Sequence, residues 1–273
     1  MPSAYTHYRF GKEVLSCLPK HFRRPIEEYR ELFDIGLHGP DILFYYKPLS
    51  KNPVNQLGHD MHHQPASTFF QTAAEVWRSS KRKEALQAYL YGFICHFALD
   101  SICHPYIEKM VAGGEFSHTE LETELDRFFL LKDELDPMTY LPIQHIHPTL
   151  ETCDVIAECY SSISEKEVRS SLRGMIWSFK LLNAQTDFKR KLILLVMKLT
   201  GNAKFMSGLV MKPEANEQCQ AYCPLLYSKY LEAVTTAASL IQQYGNVLEH
   251  NADLSTRFNQ TFDAGEHWEE LYI

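Results

Sequence analysis

The chain has 273 residues, a formal net charge of −7, 45% hydrophobic and 22% charged residues, and 12% aromatics. Such a composition belongs to an ordinary globular protein with a full core and excludes a disordered or fibrous chain. The acidic balance excludes a basic surface spread over the whole molecule, so no stable nucleic-acid complex is expected.

In chain order, apolar residues recur at spacings of three and four over about 5–18, 23–34, 66–79, 84–110 and 118–131, and again over 150–161, 165–184, 187–199 and 222–249. Each of these predicts a helix, and no alternating strand pattern interrupts them. Gly39-Pro40, Lys47-Pro48, Pro53, Gly113-Gly114, Asp136-Pro137, Pro142 and Pro213 fall between the periodic segments and read as breakers. The expected fold is therefore all-α. It is read as one helical domain over 1–273, with ligand-type residues in 1–130 and amphipathic helices in 150–273 completing the bundle.

Seven cysteines (Cys17, Cys95, Cys103, Cys153, Cys159, Cys219, Cys223) are scattered, and Cys219-x3-Cys223 is not a zinc spacing. They read as buried structural thiols. The opening MPSAYTHYRF lacks a basic-then-apolar signal pattern, and no run reaches the roughly 18 apolar residues of a membrane span. A reducing, cytoplasmic setting is the expectation.

Thirteen histidines are many for this length, and most precede residue 120. The strongest signal among them is His96-x3-Asp100-x3-His104, followed after Gly113-Gly114 by His118-x3-Glu122. Residues four apart on a helix share a face, so each pair offers two ligands to one metal ion. Asp100 lies in YLYGFICHFALDSICHPY, too apolar to accept an unpaired carboxylate; a cationic partner removes that cost. Upstream, Asp41 precedes the aromatic run ILFYY, and His59, His62 and His63 lie in a breaker-rich segment read as a loop. His7 is a weaker candidate. Gln144-His145-Ile146-His147 reads as a solvated loop or a pocket rim, and His21, His38, His250 and His267 have no partner at ligand spacing.

The order His7, Asp41, His59 or His62, His96/Asp100, His104, His118/Glu122 resembles the zinc-dependent phospholipase C family, whose metal cluster is similar to that of single-strand-specific zinc nucleases. The match covers roughly residues 5–125. The resemblance implies the all-α fold of the phospholipase C and zinc nuclease type. It implies a first zinc held by Asp41, His59 (or His62), His96 and Asp100, and a second held by His104, His118 and Glu122. A third would be shared by Asp100 and His7. Secreted members complete that third site with a processed N-terminal tryptophan, whereas this chain reads Met1-Pro2-Ser3, so two zinc ions are the expectation. The same ligand types also suit manganese, iron or nickel.

The activity so implied is hydrolysis of a phosphate ester by zinc-activated water, with Asp41 orienting or deprotonating the water and phospholipid or another phosphodiester as substrate. A nuclease-like phosphodiesterase and a non-catalytic zinc-binding module are the competing readings. Residues 188–211 place basic residues around an apolar stretch, which reads either as a core helix or as a transient contact with a membrane surface.

Overall fold

The computed structural model describes residues 3–199 and 206–273, and among these it is helical with no strand. Helices α1 (Ala4–Cys17), α2 (Lys20–Glu28) and α3 (Arg30–Gly36) lead into a 3-10 helix, Gly39–Tyr45. Then come α4 (Pro53–His63), α5 (Ala66–Ser79), α6 (Lys83–Gly113), α7 (His118–Lys132), α8 (Leu150–Glu158), α9 (Glu165–Leu182), α10 (Asp187–Leu199) and α11 (Glu217–His250).

The organising element is α6. Its sequence is apolar around the whole circumference, and from Ala85 to His104 every side chain is buried. A helix with no polar face must be enclosed on all sides. Helices α1, α2, α3, α5 and α11 supply the enclosure. The approach of α3 is close enough that a Cβ on Gly92 would lie 2.2 Å from the Phe33 carbonyl oxygen, and only glycines at 36 and 92 permit the crossing. On another side Phe70, Phe93, Phe97 and Tyr244 pack with Phe258 and Phe262, which come from the segment following α11. One apolar cluster runs from Tyr5 to Phe262; a small separate one joins Ala184, Met197 and Val210.

Three local expectations are corrected. The histidine-rich segment 58–63, read as a loop, is the second half of α4. Pro53 is not a breaker there but occupies the first turn, where its missing N–H costs nothing, and the Asn52 side chain caps Val54 and Asn55. The helix read over 23–34 is two helices, broken at Tyr29. The last long helix starts at Glu217 rather than 222, with Asn216 as its cap and Pro224 tolerated inside it. Of the 188–211 stretch, residues 200–205 lie outside the described residues. Among the described residues no helix is long and apolar enough to cross a membrane. The seven cysteines are free, and all but Cys17 are buried.

Candidate metal centre

Helix α6 presents His96, Asp100 and His104 along one side, one turn apart and all buried. Helix α7 begins at His118, with Ser117 as its cap, and brings Glu122 to face His104. The 3-10 helix carries Asp41 and α4 carries His62, while α1 supplies His7. Gly39 sets the position of Asp41. Its φ of 49° lies in the left-handed region, and a Cβ there would lie 2.2 Å from the His96 ring. The Gly-Pro pair read as a breaker is thus the turn that lets Asp41 approach His96.

The ligand-type atoms converge. His62 Nε2 lies 3.0 Å from Asp41 Oδ1, and His96 Nε2 lies 3.7 Å from Asp41 Oδ2. The two oxygens of Asp100 face different neighbours: Oδ2 is 3.0 Å from His96 Nε2, whereas Oδ1 is 3.2 Å from His7 Nε2 and 3.7 Å from His104 Nε2. Glu122 lies 3.9 Å from His104 Nε2 and 3.5 Å from His118 Nε2. Three groups of ligand spacing result: Asp41/His62/His96, His7/His96/Asp100 and His104/His118/Glu122. His59 stands apart from them; it is exposed and stacks on Phe44, 4.4 Å between ring centres.

These approaches do not form hydrogen bonds. Asp41 Oδ1, Asp100 Oδ2 and the Nε2 atoms of His62, His96 and His104 are buried without a hydrogen-bond partner among the described residues. Orphaned buried polar atoms are costly, and several pointing at common centres call for a cation. Tetrahedral zinc with bonds of about 2.0–2.1 Å sets its ligand atoms about 3.3 Å apart, within the range seen here. The donor set of imidazoles and carboxylates therefore fits zinc.

The electrostatics agree. Burial favours neutral imidazole, yet Asp41 outweighs it at His62 and pushes that ring up to about 9. At His118 burial is outweighed by Glu122 and Glu108, and the ring is pushed up to about 10. His7 and His104 move the same way against burial, drawn mainly by Asp100. Burial resists ionisation of Asp100 and Glu122, but His96, His104 and His7 hold Asp100 far below the usual range, and His118 with His104 does the same for Glu122. A divalent cation would compete with those protons for the same imidazole lone pairs.

Four of the rings are aimed from behind, whereas His7 Nδ1 is buried without a hydrogen-bond partner among the described residues. His62 Nδ1 donates to the Gly58 carbonyl (2.7 Å), His96 Nδ1 to Leu37 (3.2 Å) and His104 Nδ1 to Phe262 (2.8 Å), which leaves every Nε2 free toward the cluster. His118 Nδ1 meets Glu108 Oε1 at 2.6 Å, a carboxylate–imidazole pair. Sequence reasoning missed Glu108, although it continues the same spacing one turn past His104. It also missed Asp126, one turn past Glu122, whose carboxylate accepts the Tyr5 and Thr6 backbone N–H groups (3.2 and 2.8 Å) and the Thr6 hydroxyl (2.7 Å). Asp126 thereby caps α1 and locks His7 to α7. The Phe262 carbonyl had no signal in the sequence at all.

His145 falls neither in solvent nor in the cluster. Its Nε2 is 2.8 Å from that of buried His38, and its ring stacks on Tyr8 at 4.0 Å. Burial pulls both imidazoles down, His145 to about 3, so they form a neutral pair. That pair ties the 142–147 loop to the turn before Asp41.

Beside the cluster opens a cleft of about 320 Å³, lined by Phe44, Tyr45, Pro142, Phe179, Leu182 and Met206, with His59, Thr123 and Asp126 among its few polar groups. Tyr45 lies within the field of both Asp41 and Glu122, which together with burial keeps its phenol protonated. No cluster residue lines the cleft itself; its wall holds their sequence neighbours Tyr45, four residues after Asp41, and Thr123, next to Glu122. A family model described as zinc-dependent phospholipase C matches residues 6–181, more than half of the chain.

The chain belongs to the zinc-dependent phospholipase C family. No curated protein and no solved structure matches it. The matched span includes every cluster residue named above, while Phe262 of this phospholipase C family member lies beyond it.

Proposed function

We propose that this member of the family hydrolyses a phosphodiester, with a phospholipid as substrate, at the cluster of His7, Asp41, His62, His96, Asp100, His104, His118 and Glu122. The observation that carries the reading is the set of buried, unpartnered imidazole and carboxylate atoms beside an apolar cleft. A structural zinc site is closed by its ligands and needs no cleft, whereas a catalytic one keeps a position open. Two zinc ions are assigned, one to Asp41, His62 and His96 with Asp100, the other to His104, His118 and Glu122. The grouping of His7 with His96 and Asp100 leaves room for a third.

Zinc, when bound, supplies Lewis acidity toward water and toward phosphoryl oxygens. The remaining work belongs to the chain. Asp41, four residues before the cleft-lining Tyr45, accepts the proton of the attacking water as the water oxygen bonds to phosphorus. The P–O bond to the glycerol side then breaks, and that oxygen takes up the proton that Asp41 received. The products are a diacylglycerol and a phosphorylated headgroup. Backbone carbonyls at Leu37, Gly58 and Phe262 and the Glu108 carboxylate orient the rings of His96, His62, His104 and His118 for turnover. The apolar wall of Phe44, Phe179 and Leu182 accepts the lipid part and excludes water. Six buried, unpaired thiols support a reducing compartment as the setting.

The test combines elemental analysis of the purified protein with hydrolysis of p-nitrophenyl-phosphorylcholine, with and without chelator. Two or three zinc ions per chain and chelator-sensitive turnover are expected. Zinc without turnover on this ester or on phospholipid would leave a structural module, and protein that takes up no metal would end the proposal.

A further inference from the structure

Helix α10 has two opposite apolar faces, and among the described residues only one is covered. Ile193, Leu194 and Met197 pack inward with Ala184 and Val210. On the other side Phe188 (79% exposed), Leu192, Leu195 and Leu199 (77%) stand in solvent. At 100° per residue these four fall within an arc of about 60°, a continuous stripe along the helix. Isolated exposed leucines are ordinary, whereas a stripe of large side chains marks a contact surface.

The charges around the stripe identify the contact. Lys191 and Lys198 are exposed and border it on one edge, and Lys189 borders it on the other. Within 187–199 four basic residues stand against one acid, a net of 4 − 1 = +3 in a chain whose total is −7. That acid, Asp187, is already paired with Arg190 at 2.6 Å. An apolar stripe edged by the exposed Lys191 and Lys198 fits a surface that is apolar below and anionic above, which is the headgroup region of a bilayer.

Position adds a second reason. Leu182 and Ala184, which precede α10, line the cleft beside the metal cluster, as do Met206 and Leu209 further along the chain. The helix is thus joined in sequence to the cleft wall on its N-terminal side, although none of its own residues lines the cleft. Lys189 fixes it there, donating to the Lys180 and Asn183 carbonyls at the end of α9 (2.9 and 2.7 Å). The geometry points to α10 as an interfacial docking helix that rests the molecule on an anionic phospholipid surface with the cleft mouth against it. The purpose of such docking rests on the phospholipase reading, but the binding itself does not.

The experiment is flotation of the zinc-loaded full chain with vesicles of equal parts phosphatidylcholine and phosphatidylserine, against phosphatidylcholine alone. Turnover of soluble p-nitrophenyl-phosphorylcholine is measured in parallel. The wild-type chain binds the anionic vesicles more tightly. Lys191→Glu and Lys198→Glu each weaken that binding by about fivefold or more. Leu192→Ser with Leu195→Ser weakens it by about tenfold or more, with soluble turnover unchanged. These positions are exposed, and circular dichroism confirms that each variant keeps its helices. Absence of vesicle binding by the wild type, or binding indifferent to these four substitutions, overturns the inference. So does a dimer in sedimentation that the leucine variants dissociate without any vesicle binding, because the stripe is then covered by a second copy. Vesicle binding without hydrolysis of any ester would leave the docking helix standing and refute the phospholipase reading instead.

Discussion

Replacement of Asp126 by alanine tests whether α1, and His7 with it, is held to α7 through one carboxylate. In the wild type the side chain accepts two backbone N–H groups from the first turn of α1, those of Tyr5 and Thr6, both in buried residues. Loss of an N-cap typically costs about 1 kcal/mol, and each buried donor left without an acceptor costs about 1–3 kcal/mol. For two such donors a loss of about 3 kcal/mol is expected, a large part of the roughly 5–15 kcal/mol that stabilises a typical domain. Asp126→Asn, which keeps one acceptor, should lose about 1 kcal/mol. The pH dependence adds a second signature. Burial pushes this carboxyl up from 3.8 to about 7, against the Thr6 and Tyr5 donors. Between those values the folded chain holds a proton that the unfolded chain has released. Stability from this group therefore falls as pH rises through the window, by up to about 1.4 kcal/mol per pH unit. The alanine variant lacks that slope, so its deficit is largest near pH 4 and shrinks toward pH 7. Urea denaturation of both proteins at pH 4.5, 6 and 7.5 measures it. A deficit below about 0.5 kcal/mol at pH 4.5, or one that grows with pH, would refute the account, the latter by showing that the amino end of α1 stabilises the anion more than burial opposes it.

Other perturbations separate the remaining parts of the argument. Glu108→Gln removes the charged partner of His118 and should weaken zinc binding by about 10–100-fold, read by competition with a chromophoric chelator; unchanged affinity would mean that Glu108 does not orient the ring. His62→Ala should lower zinc content whereas His59→Ala should keep it while impairing substrate binding in the cleft. The reverse pattern by elemental analysis would move the ligand to His59. Gly92→Ala forces a methyl group against the Phe33 carbonyl and should cost about 1–3 kcal/mol or more in thermal denaturation, with no change in metal stoichiometry for the protein that remains folded.

The sequence by itself determined the helical class, because periodicity of three and four is a property of each segment alone. It also displayed the spacing that lines His96, Asp100 and His104 along α6, and His118 and Glu122 along α7, since a helix turns that spacing into a face wherever it is placed. Carried one turn further in each case, the same rule would have reached Glu108 and Asp126. Helix ends were less legible: Pro53 looked like a breaker until Asn52 was seen to cap the helix that it starts. What only the tertiary structure decided is which residues from different elements meet. Asp41, on a short 3-10 helix, reaches His96 because Gly39 takes a left-handed turn against that ring, and nothing in a linear pattern fixes that approach. The approach of His62 rather than His59 to Asp41 is of the same kind. Three positions on a helix differ by about 300° of rotation, and only the docking of α4 on the 3-10 helix turns His62 toward Asp41 and leaves His59 on Phe44. The Phe262 carbonyl that aims His104 belongs to the backbone, which every residue carries alike, so its role exists only once the segment after α11 has packed against α6.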